Sequence, residues 1–516
     1  MIRRRLPIGI QTFRKLREQD CYYVDKTPYI ARLLHEGTHY FLSRPRRFGK
    51  SLFLDTLKEL FEGSQELFTG LYIHGRHDWT KRYPVVRLSF GGGSFTEHAH
   101  LHASVMAQLE GVAEQAGVSA RYATAPERFA HLLRTMHAHA GQRVAVLVDE
   151  YDKPILDALV ETPEVARANR DFLRGLYGVI KDSDAHVRFT FLTGISKFSK
   201  VNLFSQLNNL TDLTLDPVYS SICGYTEGDL ETVFAPELAG LDRERVREWY
   251  NGYSWRGAEK VYNPYDVLLL LRRREFEAHW FETGTPAFLV DTLFERRVSS
   301  VSLDRTVSTA ELLSTFDVGK IGTEALLFQT GYLTITGEES LGGMALYRLG
   351  YPNREGRQSL NDHLLTYLVR DTGRQVANGD RLYDLLEAND FSGMQALFHA
   401  FFASIPYEWY TNNDIANYEG YYASVFYSYF AALGYEITVE DSTSHGRLDM
   451  AVRAGGQVYL FEFKVVEMEP QGAALAQLQE RRYADKYRHL GEPIHLVGVE
   501  FSRDTRNVTA FAVAAG

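Results

Sequence analysis

The chain has 516 residues and a formal net charge of −10 at pH 7, with 45% hydrophobic, 24% charged and 13% aromatic residues. These values are typical of a globular protein and exclude a disordered, collagen-like or low-complexity chain. The length allows about three to five domains of roughly 100–200 residues each. Because the overall charge is acidic, any contact with nucleic acid would depend on a local basic patch.

Two cysteines, Cys21 and Cys223, lie far apart and are too few for a disulfide framework or a zinc site, which favours a reducing compartment. The amino-terminal segment lacks the apolar stretch of a signal peptide. The longest apolar runs, such as VLLLL at 267–271, are far shorter than the roughly 18 residues that span a bilayer. We therefore expect a cytoplasmic protein without membrane contact.

Short apolar runs alternate with helical stretches in the first part of the chain. The runs fall at residues 39–43, 84–90, 144–150 and 187–196. Buried strands separated by helices are typical of βαβ units in a mostly parallel sheet. Residues 1–222 are therefore predicted to form an α/β domain.

The rest of the chain is predicted to contain two further regions. Residues 223–400 have a mostly helical pattern and carry little recognisable chemistry. Residues 401–516 begin with an aromatic-rich helix and continue with a strand pair at 447–453 and 457–466, a helix and a final strand. This last region is predicted to be a separate αβ domain.

A phosphate-binding loop is predicted between the first strand and the following helix. The segment RPRRFGKS ends in Gly49, Lys50 and Ser51, as a GxxxxGK[ST] loop does. Backbone N–H groups and the lysine would bind phosphates, and the serine hydroxyl would bind Mg²⁺. However, Arg44 replaces the first glycine, and Pro45 has no N–H to offer. Charge from two arginines would compensate, so the predicted nucleotide site comprises Arg46, Arg47, Phe48, Gly49, Lys50 and Ser51.

An acidic motif follows further along the chain. Asp149 and Glu150 end an apolar strand, where Asp149 would bind Mg²⁺ and Glu150 would polarise the attacking water. Polar residues at the end of the next strand would sense the γ-phosphate: Thr193, Ser196 and Lys197. The alternative is that GKS opens an ordinary helix and that the acidic strand end is structural. Order and spacing together favour a nucleotide site for ATP and Mg²⁺.

Two acids and a lysine are predicted to share one face of the carboxy-terminal strand pair. Glu462 and Lys464 are two residues apart on one strand, so their side chains lie on the same face. The dipeptide Gly455-Gly456 suits a two-residue hairpin turn. The resulting register places Asp449 opposite Glu462, with Cβ atoms ~5 Å apart. Two opposed carboxylates repel each other, so a cation between them is the physical reason for such a pair.

Metal-assisted cleavage of a phosphodiester needs these groups, because carboxylates bind Mg²⁺ and a lysine positions water and offsets charge. The alternative is a structural hairpin with a cross-strand salt bridge. A basic stretch follows the strand pair and would be either a phosphate track or a solvated helix face. It consists of Arg481, Arg482, Lys486 and Arg488.

Long stretches of the first 220 residues resemble a known family. They are GIQTFRKLREQDCYYVDKTPYIARLL, FLSRPRRFGKSLFLDTLKELFEG, VLVDEYDKPI and TGISKFSKVNLFSQLNNL. These stretches resemble the AAA-ATPase-like family that is found with a C-terminal PD-(D/E)XK nuclease domain in prokaryotic proteins. The resemblance implies that Lys50 and Ser51 bind phosphate and Mg²⁺, and that Asp149 and Glu150 form the second acidic motif.

The carboxy-terminal arrangement also resembles the PD-(D/E)XK nuclease core. This resemblance implies that Asp449 and Glu462 are metal ligands and that Lys464 is the catalytic lysine. It implies a further acidic ligand, Glu419, on the preceding helix. The helix after the strand pair would bring three more side chains to the cleft or to nucleic acid: Gln477, Arg481 and Tyr483.

The sequence therefore predicts an α/β multidomain protein with a P-loop NTPase domain, a helical connecting region and a restriction-endonuclease-like domain. The predicted function is an ATP-binding protein and ATPase that controls a Mg²⁺-dependent nuclease acting on DNA in preference to RNA. One alternative is a nucleotide-dependent switch or scaffold whose nuclease-like domain binds nucleic acid or protein without cleaving. Another is an ATPase motor. Homo-oligomerisation stays open, because AAA-type ATPases often take an arginine from a neighbouring subunit.

Overall fold

The computed structural model falls into two compact units. The first comprises Met1–Phe288 with Thr306–Asn353, and the second comprises Leu289–Arg305 with Arg354–Gly516. Residues 223–400, predicted as a connecting region, are thus shared between the two units. The structure describes residues 3–119, 122–159, 161–197, 207, 209–279, 289, 293, 296, 303, 306–313, 322–369, 372–404, 419–443, 446–467 and 469–516.

A five-stranded parallel sheet forms the centre of the first unit. Its strands are β1 (His39–Ser43), β2 (Val85–Ser89), β3 (Val144–Asp149), β4 (Val187–Gly194) and β5 (Thr211–Asp212). They lie in the order β2-β3-β4-β1-β5, and every neighbouring pair is parallel. Strands β1 and β3 are buried throughout, as expected for strands covered on both faces. The predicted α/β architecture is confirmed.

Helices connect these strands and continue beyond the sheet. They are α1 (Phe13–Glu18), α2 (Thr27–Glu36), α3 (Lys50–Phe61), α4 (His98–Gln115), α5 (Ala125–Ala140), α6 (Lys153–Leu156), α7 (Pro163–Asp182), α8 (Glu227–Val233), α9 (Ala235–Leu238), α10 (Arg243–Tyr250), α11 (Pro264–Arg273), α12 (Ala310–Leu313) and α13 (Thr323–Thr330). Helix α3 packs Phe53 and Phe61 against aromatic rings of β4. This packing fixes the start of α3 at the carboxyl edge of the sheet.

A small antiparallel sheet completes the first unit. Its strands are β6 (Val307–Thr309), β7 (Thr334–Leu341) and β8 (Met344–Gly350), in the order β6-β8-β7. Gly342 and Gly343 connect β7 to β8 and have φ values of +59° and +85°. Glycine suits this tight turn because both central residues have positive φ.

A five-stranded mixed sheet forms the centre of the second unit. Its strands are β9 (Glu436–Thr443), β10 (Gly446–Ala454), β11 (Gln457–Val466), β12 (Ile494–Ser502) and β13 (Asn507–Ala515), in the order β13-β12-β11-β10-β9. Strands β11 and β12 are parallel, and the other neighbours are antiparallel. The helices of this unit are α14 (Arg354–Val369), α15 (Thr372–Glu387), α16 (Phe391–Ser404), α17 (Glu419–Ala432) and α18 (Ala473–Glu480).

Side chains of β11 alternate between two apolar cores. Phe461 and Phe463 belong to the core that contains residues of α17. Val458 and Leu460 belong to the core that contains Leu478 of α18. Since Glu462 follows Leu460 by two residues, its side chain lies on the side of α18. None of the helices in the described ranges is both long enough and apolar enough to cross a lipid bilayer.

Candidate nucleotide and metal sites

The predicted phosphate loop lies between β1 and α3. Gly49 has φ +94° and immediately precedes α3, and Arg47 has φ +69°. These left-handed residues turn the chain sharply into the helix. The first turn of α3 carries Ser51 and presents N–H groups without helical partners, which is the usual basis of an anion site at a helix start.

Arg44 stands where such a loop usually has its first glycine, and it has a structural role. Its buried guanidinium donates hydrogen bonds to the carbonyl oxygens of Ser43, Thr214 and Tyr219. It also lies 4.2 Å from the ring centroid of Trp255. Burial lowers the pKa of Arg44 to about 10, so the group stays charged at neutral pH. Arg44 therefore fixes the base of the loop.

Replacing Arg44 by glycine would restore the usual loop sequence, and we expect it to destabilise the first unit. The variant loses the carbonyl hydrogen bonds and the contact with Trp255, which together are worth about 2–4 kcal/mol. Thermal unfolding followed by circular dichroism should show a lower melting temperature. Arg47→Gly is the matched control and should melt close to the wild-type temperature, because the gain from glycine at a φ of +69° offsets the lost contact with Tyr265. Unchanged melting of Arg44→Gly would contradict the structural role.

Lys50 is buried at the start of α3 and forms hydrogen bonds with the beginning of the loop. Its Nζ donates to the carbonyl oxygens of Arg44 and Pro45, both at 2.8 Å. Pro45 has no N–H to offer a phosphate, but its carbonyl oxygen accepts this hydrogen bond from Lys50. Burial lowers the pKa of Lys50, and the nearby carboxylates of Glu150 and Asp149 oppose that change. A lysine held here can neutralise phosphate oxygens bound at the loop.

The two acids at the end of β3 have different environments. Asp149 is buried, its Oδ1 accepts a hydrogen bond of 2.8 Å from Thr193 Oγ1, and Arg87 Nη2 lies 4.0 Å from its Oδ2. Glu150 has φ +53°, a strained value for a residue with a side chain. Burial raises the pKa of Glu150, and Lys50 opposes the change. Asp149 is thus held by a hydrogen bond, whereas Glu150 interacts electrostatically with Lys50.

Glycines after β2 make room for Glu150. A Cβ atom at Gly91 would lie 3.3 Å from Oε2 of Glu150. Lys153 Nζ donates to the carbonyl oxygen of Gly93 at 2.7 Å and so fixes this segment beside the acid. These glycines were not predicted to belong to the site, because in sequence a GGG segment indicates only a turn.

The residues predicted to sense the γ-phosphate have other partners in the structure. Thr193 donates its hydroxyl hydrogen bond to Asp149. Ser196 Oγ donates to Asp152 Oδ2 at 2.5 Å, and Lys197 forms an ion pair with Asp212. The backbone N–H of Ser196 also donates to Asp152 at 2.6 Å. Asp152, which had no predicted role, therefore fixes the chain where it leaves β4.

A cavity of about 380 Å³ adjoins the loop, a volume in the range of small-molecule sites. All six predicted loop residues, 46–51, line it together with Glu150. Phe48 also packs edge-on against Tyr253, and the guanidinium of Arg47 lies 4.7 Å from the ring centroid of Tyr265. Lining residues that the sequence analysis did not assign include Gly9, Ile10, Gln11, Tyr225, Tyr265 and Leu268.

The segment YYVDKT, residues 22–27, anchors one wall of this cavity. Tyr23 and Lys26 line the cavity. Lys26 Nζ donates to Asp229 Oδ2 at 3.0 Å and to the carbonyl oxygen of Ser221 at 3.1 Å. Asp25 Oδ1 accepts the N–H of Thr27 at 2.9 Å. These contacts hold the amino-terminal segment next to the phosphate loop.

In the second unit, the predicted hairpin register is confirmed. Ala454 pairs with Gln457 and Met450 pairs with Phe461, the register from which the sequence predicted Asp449 opposite Glu462. Gly455 and Gly456 form the turn, with φ values of +57° and +72°. Oδ2 of Asp449 accepts the backbone N–H of Phe463 at 2.9 Å, which fixes this carboxylate at β11.

Glu462 is a buried acid with one unsatisfied oxygen. Its side chain is 1% exposed, and Lys464 Nζ lies 3.3 Å from Oε1. Within the described part of the chain, Oε2 has no hydrogen-bond partner. Burial, followed by repulsion from Asp449, raises the pKa of Glu462 to about 7. A cation bound at Oε2 would stabilise the ionised carboxylate.

The other residues predicted for this site lie in three different places. Gln477 of α18 donates from Nε2 to Oε1 of Glu462, so it belongs to the site. Tyr483 is 2% exposed, packs in the α18 core and donates its hydroxyl to the carbonyl oxygen of Arg447 at 3.0 Å. Arg481 is exposed just after α18.

Glu419 begins α17, and its side chain lies outside the described residues. Among the side chains that are described, no group of three or more histidines, cysteines or acids could hold a metal ion. The described part of the candidate metal site is therefore the pair formed by Asp449 and Glu462.

The predicted basic stretch is largely ion-paired within the second unit. Lys486 Nζ lies 2.5 Å from Oδ1 of Asp441, a residue of β9. Arg488 Nε lies 3.0 Å from Oδ1 of Asp485. These pairs reduce the positive charge that the stretch presents to a phosphate backbone.

Known proteins match the chain in both units. Residues 7–204 match a family model described as predicted AAA-ATPase, and residues 417–511 match the PD-(D/E)XK nuclease superfamily. A protein of Azotobacter chroococcum mcd 1, named "Uncharacterized protein in vnfD 5'region", is 60% identical over 515 residues and is matched over 99% of both chains. The chain belongs to the predicted AAA-ATPases with a PD-(D/E)XK nuclease superfamily domain.

The family assignment agrees with the resemblance found in the sequence. The AAA-ATPase domain contains the predicted phosphate loop and the acids at the end of β3, and the nuclease superfamily domain contains Asp449, Glu462 and Lys464. The cavity beside the loop extends past the matched region of the AAA-ATPase domain, since Tyr265 and Leu268 also line it. Residues after 204 therefore contribute to the candidate nucleotide site.

A further buried acid of the nuclease superfamily domain, Glu500, was not predicted from the sequence. Glu500 of β12 is 1% exposed and accepts backbone N–H groups at the start of α18. In sequence it is one acid in the apolar strand IHLVGVEFS, a pattern that reveals neither its burial nor its partners.

Proposed function

We propose that the chain is an ATP-binding protein with ATPase activity whose nucleotide site controls a Mg²⁺-dependent nuclease acting on DNA. The observation that carries the nuclease assignment is the carboxylate of Glu462. It is buried beside Asp449 and Lys464, and one of its oxygens has no hydrogen-bond partner among the described residues. Burying an acid in this way is costly unless it is neutralised by a proton or a cation.

The residues present suit a hard cation. Mg²⁺ prefers oxygen ligands, is often bound by one or two carboxylates and keeps several waters. Asp449 and Glu462 would hold it, Gln477 would orient the Glu462 carboxylate, and Lys464 would offset negative charge on the substrate phosphate. When bound, Mg²⁺ supplies Lewis-acid polarisation of the phosphodiester and lowers the pKa of the attacking water.

In the AAA-ATPase domain, the loop residues and Lys50 would bind the phosphates of ATP. Ser51 and Asp149 would hold its Mg²⁺, and Glu150 would orient the attacking water. Thr193 supports this arrangement by its hydrogen bond to Asp149. Control of cleavage by ATP is proposed because one chain carries both candidate sites.

A nucleotide-dependent switch or scaffold is the second candidate. In that case the nuclease-like domain would bind nucleic acid or protein without cleaving. The ion pairs of Lys486 with Asp441 and of Arg488 with Asp485 favour it, because they neutralise cations predicted to contact phosphates.

Incubation of the purified protein with a panel of nucleic acids tests these proposals. The panel comprises supercoiled plasmid, linear duplex, single-stranded DNA and RNA, each with Mg²⁺ or Mn²⁺ and with or without ATP. We expect cleavage of at least one DNA substrate, and no cleavage in EDTA or by Glu462→Gln. Binding without cleavage of any substrate would contradict the nuclease proposal and favour the switch.

A further inference from the structure

Glu500 anchors the start of helix α18. It lies on β12 and pairs in parallel register with Lys464 of β11. Oε2 of Glu500 accepts the N–H of Gln471 at 2.6 Å, and Oε1 accepts that of Ala474 at 3.3 Å. A negative charge at a helix start is stabilised by the helix dipole. Because the carboxylate is almost fully buried, these N–H groups hold it in one place.

A second contact fixes the same end of the helix on the strand. A Cβ atom at Gly498 would overlap the backbone of Leu475, so the first turn of α18 rests directly on β12. Gly498 in turn pairs with Glu462 of β11. The spacing between the start of α18 and the strand that carries Glu462 is therefore set by Gly498 and Glu500.

Helix α18 carries Gln477, which donates to Oε1 of Glu462. Lys464 Nζ also lies 3.3 Å from Oε1. With both donors on one oxygen, the oxygen without a partner among the described residues is Oε2. A cation would thus meet a carboxylate whose orientation is already fixed. Outer hydrogen bonds of this kind commonly orient metal-binding carboxylates.

We propose that Glu500 is a positioning residue for the metal site, acting through the start of α18 to hold Gln477 against the carboxylate of Glu462. The proposal deepens the proposed nuclease function and rests on it. It assigns Glu500 no contact with the metal or with the substrate. Its distinctive consequence is that Glu500 should matter for metal binding only while Gln477 is present.

Titration of the full chain with Mn²⁺ in the absence of nucleotide tests this coupling. Mn²⁺ binding that remains in Glu462→Gln is subtracted, because it takes place at other sites. We expect Glu500→Gln to weaken Mn²⁺ binding by about tenfold, as is common when outer-shell partners are removed. We expect Gln477→Ala to weaken binding to a similar degree, and the double variant to bind no more weakly than Gln477→Ala alone.

Glu492→Gln is the matched control. Glu492 lies just before β12 in the same domain and pairs with Arg453 on the sheet, so its loss should leave Mn²⁺ binding unchanged. Gly498→Ala is an independent variant that displaces α18 with Glu500 intact, and it should weaken binding as Glu500→Gln does. The proposal is overturned if Glu500→Gln binds Mn²⁺ as the wild type does, or if its effect persists in full in the Gln477→Ala background.

Hydrogen–deuterium exchange separates this proposal from the proposed function. In Glu500→Gln, amides of residues 471–480 should exchange at least about tenfold faster, while those of residues 457–466 are unchanged. If the wild type binds no Mn²⁺, the nuclease proposal fails. Hydrogen–deuterium exchange alone then tests whether Glu500 positions helix α18. Unchanged exchange at 471–480 would then overturn it.

Discussion

Glu462→Gln is expected to abolish metal-dependent cleavage and also to stabilise the metal-free nuclease superfamily domain above neutral pH. Burial and repulsion from Asp449 raise the pKa of Glu462 from 4.5 to about 7 in the folded protein. Between these values the unfolded carboxyl is ionised while the folded one keeps its proton. The contribution of Glu462 to stability is therefore full below pH 4.5 and is lost as the pH rises through 7. Glutamine does not ionise, so the variant avoids this loss.

Thermal unfolding in EDTA at pH 5 and pH 8 measures the stability effect, and plasmid cleavage measures the activity. We expect the variant to melt at a higher temperature than the wild type at pH 8, with a smaller difference at pH 5. Cleavage should fall by more than about 100-fold. A variant that cleaves normally and melts as the wild type does at both pH values would contradict the proposed role of Glu462.

Glu492→Gln provides the control for both measurements. Its hydrogen bond with Arg453 lowers the pKa of Glu492, which is the opposite direction to Glu462. Replacing it should therefore give no gain in melting temperature at pH 8, and cleavage should continue.

Lys50→Met is expected to remove ATP binding. Lys50 is the buried cation of the phosphate loop, and charge-assisted hydrogen bonds to phosphate are worth about 1.5–3 kcal/mol each. Nζ has one proton left for phosphate beside its two bonds to the loop carbonyls, and losing all three bonds corresponds to a rise of about 100-fold in the Kd for ATP. Isothermal titration calorimetry with Mg²⁺ and a non-hydrolysable ATP analogue measures this change directly.

Lys58→Met is the matched control for Lys50→Met. Lys58 lies on the same helix and pairs with Glu62 at 2.8 Å, away from the loop. Its replacement should leave the Kd unchanged, since the half-buried Lys58 pairs with Glu62 and Glu59 and does not line the cavity beside the loop. Equal affinity of the Lys50 variant and the wild type would contradict the assignment of a phosphate-binding loop.

Features set by local periodicity were predictable from the sequence. The apolar runs that became β1, β3 and β4 are continuous because both faces of these strands are buried. The β10–β11 register followed from one turn, since a slip of one residue would move every core side chain to the wrong face. For the same reason Asp449, Glu462 and Lys464 could be placed before the fold was known.

Features that depend on contacts between distant segments were not predictable. Arg44 looked like a missing glycine, and only its burial against residues 214–219 and Trp255 shows that it supports the loop. Lys486 looked like a free cation, but its partner, Asp441, lies 45 residues earlier in the chain. Glu500 likewise gave no signal, because its partners are backbone groups of another element.

The N-terminal wall of the cavity beside the loop was likewise not predictable. This wall is lined by Gly9, Ile10 and Gln11. The same cavity is lined by Tyr265, which lies far from them in the sequence. Neither segment carries a charge pattern or motif whose chemistry indicates a nucleotide. Their contribution arises from packing, through anchors such as the ion pair between Lys26 and Asp229.

The proposed function requires that ATP bound at Lys50 controls cleavage at Glu462. The most direct test is the initial rate of plasmid cleavage at saturating Mg²⁺, measured with and without ATP for the wild type, Lys50→Met and Glu462→Gln. We expect ATP to change the rate of the wild type and to have no effect on Lys50→Met, and we expect no cleavage by Glu462→Gln in either condition. A wild-type rate that is the same with and without ATP would contradict the control of the nuclease by the nucleotide site.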